Sequence, residues 1–102
     1  MTAAELFEVV KDVPREAWGE LYWVDMRFLD KETNECVRPK RAANELIGSM
    51  TAWLAGDLRI KKRQHNDGEM VYGVKANDGC YSVGGTHRTL VAALAAACKE
   101  AA

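Results

Sequence analysis

The stretch LRIKKRQHNDGEMVYGVKANDGCYSVGG, Leu58 to Gly85, carries one turn word twice. Asn66-Asp67-Gly68 and Asn77-Asp78-Gly79 sit eleven residues apart, each between runs with strand-like alternation. Glycine takes φ > 0 without steric cost, so both words read as hairpin turns. Three antiparallel strands follow. A two-residue loop at Asp67-Gly68 would set Ile60 opposite Lys75 and Leu58 opposite Asn77. A three-residue loop, with Gly68 in the left-handed position, sets Ile60 against Val74, Leu58 against Ala76 and Gln64 against Met70. The second register keeps apolar with apolar, and a slip of one residue would lose that match. At the second turn the same test favours a two-residue Asp78-Gly79 loop, pairing Ala76 with Tyr81 and Val74 with Val83.

This meander has two faces. Leu58, Ile60, Met70, Tyr72, Val74, Ala76, Tyr81 and Val83 form the inner one. Lys62 falls there too, near the strand end, where its stem can snorkel. The outer face holds Arg59, Lys61, Arg63 and Lys75, with Val71, Gly73, Cys80 and Ser82. Covering four cations with an apolar helix would carry a large desolvation cost, so this part of the sheet is expected to stay open.

Charge is segregated along the chain. Residues 1–37 carry nine acids and four bases, a net of −5; residues 38–63 carry seven bases and two acids, a net of +5. The remainder, with three bases and four acids, brings the total to −1. Such segregation points to a partner surface more than the near-neutral total does. Its length of 102 residues suits one domain, 1–102, able to bury a core without staples. No apolar run approaches the roughly 20 residues that span a bilayer, and MTAAELFEVVKD lacks the basic start of a secretory signal. No membrane association and a cytoplasmic location are expected. Cys36, Cys80 and Cys98 have no CxxC spacing and complete no zinc-like pattern with His65 or His87. Three free thiols, no metal and no cofactor are expected.

Thr2-Ala3-Ala4-Glu5 reads as a capping box opening a helix over Thr2–Val13, with Leu6, Val9, Val10 and Val13 at helical spacing. Pro14 stops it and opens a short helical turn through Trp18; Gly19 then breaks the chain. Leu21 to Leu29 reads as one strand with Tyr22, Val24, Met26 and Phe28 on one face, although a helix competes over the same residues. Asp25 and Arg27 share a face as an ion pair. Asp30 to Glu35 forms a hairpin loop with Asn34 in the left-handed position, and Cys36 and Val37 return as a strand that Pro39 keeps short. Pro39 suits the first turn of the next helix, whose stripe is Ala43, Leu46, Ile47, Met50 and Leu54, with Trp53 on its flank. Gly56 ends it. Thr86 caps a last helix that turns Leu90, Val91, Leu94 and Cys98 to the core. The order α-β-β-α-β-β-β-α predicts an α+β domain: one antiparallel sheet of four to five strands with two to three packed helices.

The closing stretch GGTHRTLVAALAAACKEAA resembles the C-terminal segment of small phage-encoded α-β-α sandwich proteins, which end in a strand, a threonine-started helix and an alanine-rich run. Met1–Val13 is similar to their leading amphipathic helix. Together these cover about a third of the chain. The resemblance implies a phage or mobile-element accessory factor, a class that includes binders and inhibitors of host proteins. Separately, Pro39–Ala101 runs α-β-β-β-α, as double-stranded-RNA-binding domains do. In place of their Gly-rich, Ser-Lys-Lys stretch this chain has Gly84, Gly85, Thr86, His87 and Arg88.

The sequence contains neither GxGxxG nor GxxxxGK[ST], and no carboxylate pair lies beside a nucleophile, so no enzyme activity is expected. The candidate partner-binding residues are Arg59, Lys61, Arg63 and Lys75, extended by Lys40 and Arg41. Trp23 joins them as an indole on the strand face opposite Tyr22 and Val24. His87 and Arg88 form a lesser anion-binding candidate at a helix start. The expected partner is a host or phage protein with an acidic surface. Nucleic acid is the alternative, and self-association stays open.

Overall fold

A computed structural model describes residues 1–54, 58–64, 68, 70–76, 81–82 and 89–101, with 58, 75, 76, 81 and 82 described by backbone alone. Among these described residues, three α-helices and six strands follow one another as α1 (Ala3–Val10), a 3-10 turn (Arg15–Trp18), β1 (Leu21–Val24), β2 (Arg27–Asp30), β3 (Cys36–Val37), α2 (Pro39–Leu54), β4 (Leu58–Gln64), β5 (Met70–Ala76), β6 (Tyr81–Ser82) and α3 (Leu90–Ala101). The class is α+β with antiparallel pairing. The expectation of one four-to-five-stranded sheet, and the stated order of elements, are corrected. Two separate three-stranded sheets form, β1-β2-β3 and β4-β5-β6. The expected single strand over Leu21–Leu29 is two.

That difference comes from Asp25 and Met26. Both take positive φ, 50° and 61°, and fold the chain into a two-residue hairpin that pairs Val24 with Arg27 and Trp23 with Phe28. Left-handed backbone suits aspartate and is uncommon for methionine. The turn also splits the expected face of Tyr22, Val24, Met26 and Phe28, setting Phe28 with Leu21 and Trp23. Leu21 and Phe28 are buried, Phe28 pairs with Val37, and Trp23 packs on the core; Val24 and Met26 are exposed. Asp25 lies in the turn and makes no ion pair with Arg27; among the described residues the ion pairs are Lys11–Glu8 and Arg41–Glu45.

Local rules hold over the rest of the N-terminal half. Thr2 and Glu5 make the reciprocal capping box, each backbone N–H reaching the other's side chain at 3.2 Å. α1 ends at Val10, a turn earlier than expected, and the segment through Val13 continues as a turn. Asp30 Oδ1 accepts from the backbone of Glu32 and Thr33, and Asn34 sits at φ 58°. The Tyr22 hydroxyl donates to Asn34 Oδ1 at 2.7 Å, tying that loop to β1.

α3 is the centre of the molecule. It packs against α1, α2, β5 and β6, and Val91, Ala93, Leu94, Ala95, Ala97 and Cys98 are all buried. Alanines let neighbours approach from several sides, since they add no side chain beyond Cβ. Its cap is Thr89, whose Oγ1 accepts from the backbone of Ala92 at 3.2 Å. The described helix is thus capped by Thr89, and the expected cap, Thr86, lies outside the described residues. α2 buries Ala42, Leu46, Met50 and Leu54, with Ala43, Ile47 and Trp53 partly buried beside them.

Candidate functional site

The second sheet follows the register expected from the turn words. Leu58 pairs with Ala76, Ile60 with Val74 and Gln64 with Met70; Ala76 pairs with Tyr81. Gly68 stands at φ 88° with open space around a would-be Cβ. The Gln64 side-chain amide donates to the Gly68 carbonyl at 3.2 Å and helps to close the hairpin. The pairing of Val74 with Val83 and the Asp78-Gly79 loop lie outside the described residues.

The sheet hangs on the core by its middle strand. Val74 belongs to the buried cluster and Tyr72 packs at its edge. β4 contributes no buried side chain among the described residues: Arg59, Ile60, Lys61, Lys62, Arg63 and Gln64 are all exposed. This corrects part of the expected inner face. Ile60 is 43% and Met70 36% exposed, because α3 reaches β5 and β6 and leaves the outer strand and the hairpin's far end uncovered. Val71 departs in the other direction. It lies opposite Arg63 on the cationic side and is buried outside the main cluster.

β4 is an edge strand, paired with β5 and with no other described residue. Arg59, Lys61 and Arg63 alternate along one side of it, successive cations about 7 Å apart by strand geometry. Across the ladder they oppose Lys75, Gly73 and Val71. Neither β4 nor β5 contains an acidic residue, and no described carboxylate forms an ion pair with a β4 cation. Lys62, expected on the inner face near the strand end with a snorkelling stem, lies on that face and is exposed, its ammonium 6.0 Å from the Tyr72 ring centroid. It adds a fourth exposed cation to the strand. The signal for it was available: an outer strand that no helix covers is open on both faces.

The other candidates are distributed over the molecule. Lys75 is described by its backbone alone, which pairs with Arg59 and Ser82. Lys40 and Arg41 are exposed in the first turn of α2, where Arg41 Nε meets Glu45 at 3.4 Å. Trp23 is in the first sheet, half-buried, stacked on Phe7 at 4.4 Å and edge-on to Phe28 at 4.8 Å. His87, Arg88 and Cys80 lie outside the described residues. Cys36 is a free exposed thiol and Cys98 a free buried one. Among the described residues no three His, Cys, Asp or Glu side chains gather as metal ligands. No described helix is long and apolar enough to cross a membrane.

No family model, curated protein or solved structure matches the chain.

Proposed function

We propose that this is a small non-enzymatic binding protein that engages a macromolecule through the basic strand β4, an accessory factor of a phage or mobile element acting on a host protein. The observation that carries the reading is the exposure of Arg59, Lys61, Lys62 and Arg63 on one edge strand without a carboxylate partner among the described residues. Cations this close along one strand, three of them on one face, repel one another, and an acidic partner relieves that repulsion. Protein ranks ahead of nucleic acid for two reasons. The net charge of −1 gives no general attraction to phosphates. Beside Arg59, Lys61 and Arg63 the ladder places Lys75, Gly73 and Val71, so among the described residues no aromatic offers a base a stacking platform on that side.

The second reading, a nucleic-acid-binding module, rests on the order α2-β4-β5-β6-α3 in the second half of the chain. Affinity capture from host lysate, run with and without nuclease digestion, separates the two. A protein partner survives digestion, and its capture weakens mildly with salt. A nucleic-acid partner disappears with nuclease and weakens steeply with salt as counterion release loses its advantage.

A further inference from the structure

The edge position of β4 adds something its charge alone does not. An unpaired edge presents backbone N–H and C=O groups in the spacing of a strand, a template for one more strand. Among the described residues β4 offers this over seven positions, Leu58–Gln64, with nothing paired on its outer side. Its side chains would also read such a strand. Arg59, Lys61 and Arg63 point to one face at the two-residue period of any extended chain. On the other face Ile60 stands 43% exposed beside Lys62.

Resting on the basic-strand reading above, we propose that the ligand of β4 is an extended acidic segment of a partner protein, added to the edge as a fourth strand. The segment alternates, with acidic residues on the face of Arg59, Lys61 and Arg63 and an apolar residue on the face of Ile60. Directly opposed charges of opposite sign stabilise such pairs, and like charges destabilise them. The same rule disfavours a second copy of this chain pairing β4 to β4, which would bring the two rows of cations together. A folded acidic surface would meet the cations but leave the edge hydrogen bonds unused.

The test uses the full chain and synthetic seven-residue peptides, read by fluorescence anisotropy and by amide hydrogen exchange. One peptide alternates Glu and Val. A second has the same composition with the glutamates in one block. Two further versions of the alternating peptide carry N-methyl groups on the Glu amides or on the Val amides. The alternating peptide is expected to bind and to slow exchange at alternate amides of β4. The blocked peptide binds about tenfold more weakly, having lost two or three cross-strand charge pairs. Of the two N-methylated peptides, one fails and the other binds, because alternate amides of an added strand face β4.

Equal binding by all four peptides overturns strand addition and leaves a purely electrostatic patch. Binding without slowed exchange in β4 overturns it as well. Binding by none of the peptides also overturns it. In each of these cases the broader reading stands or falls separately, on whether reversing the charge of Lys61 and Arg63 abolishes lysate capture.

Discussion

The indole Nε1 of Trp18 donates to the main-chain carbonyl of Val10 at 3.2 Å, inside the core. That carbonyl belongs to the last turn of α1 and also accepts from the Val13 amide at 3.0 Å. The bond ties the end of the first helix to the 3-10 turn. Trp18 also meets Phe7 at 6.2 Å and Phe28 at 5.8 Å between ring centroids, and Arg15 lies 3.8 Å above its ring. One side chain thus joins α1, the turn and the first sheet. Trp18→Phe keeps most of the packing and loses the donor, and urea denaturation should show a loss of about 1–2 kcal/mol. Trp18→Ala should cost about 3–5 kcal/mol. Equal midpoints for wild type and Trp18→Phe would contradict the role given to the bond.

Three glycines separate backbone strain from crowding. Gly19 stands at φ 66°, ψ −127°, and a Cβ there would lie 3.0 Å from Ser49 Cβ. Gly19→Ala meets both penalties and should destabilise by about 2 kcal/mol or more. Gly68 has φ 88° and open space, so Gly68→Ala should cost only the backbone part, about 1 kcal/mol. Gly48, exposed within α2 with nothing near a new Cβ, should gain about 0.5–1 kcal/mol as alanine. Denaturation midpoints of the three variants should fall in that order, with Gly48→Ala above wild type.

The register of β4 and β5 was legible because two independent signals agreed. The Asn-Asp-Gly word demanded a left-handed glycine, and only one loop length matched apolar residues across the strands. The exposure of Arg59, Lys61 and Arg63 was legible because burying them is so unfavourable. The hairpin at Asp25-Met26 gave no comparable signal. Methionine is a poor left-handed residue, and Leu21 to Val24 is apolar on both alternating faces, so alternation could not choose between them. The choice was made in three dimensions, where Trp23 stacks on Phe7 and meets Phe28. The strands also divide into two sheets with α2 between them in the chain, a separation that strand patterns do not encode. The exposure of Ile60 has a related cause. Alternation assigns a face, but the reach of α3 decides how far that face is covered.

Cys98 is buried, and desolvation pushes its thiol from the ordinary 9.0 up to about 11. Between these values the unfolded chain loses the proton while the folded chain keeps it, so the unfolded state binds fewer protons. Stability contributed by the neutral thiol is therefore complete below about pH 9 and falls as pH rises through about 11. Urea unfolding across that window should decline more steeply for wild type than for Cys98→Ala. Alkylation mapped by peptide mass should modify exposed Cys36 in the native protein and Cys98 only after unfolding. Parallel pH slopes would contradict the assignment.

Lys40 occupies the first turn of α2, where the helix dipole disfavours a cation, and that turn holds no acid. Lys40→Glu should raise stability by about 0.3–1 kcal/mol at low salt and less at high salt. A lower midpoint would contradict this. Capture by the same variant decides whether Lys40 belongs to the binding surface: a loss includes it, and full capture confines the surface to β4.

The central claim is that β4 serves a partner and not the core, and the double change Lys61→Glu with Arg63→Glu tests it most directly. Both side chains are exposed and make no described ion pair, so the denaturation midpoint should stay within about 0.5 kcal/mol of wild type. Capture of the partner from lysate, measured on the same preparation, should be abolished. An intact fold with undiminished capture would contradict the account and leave the cations as a guard against sheet-to-sheet aggregation at the edge.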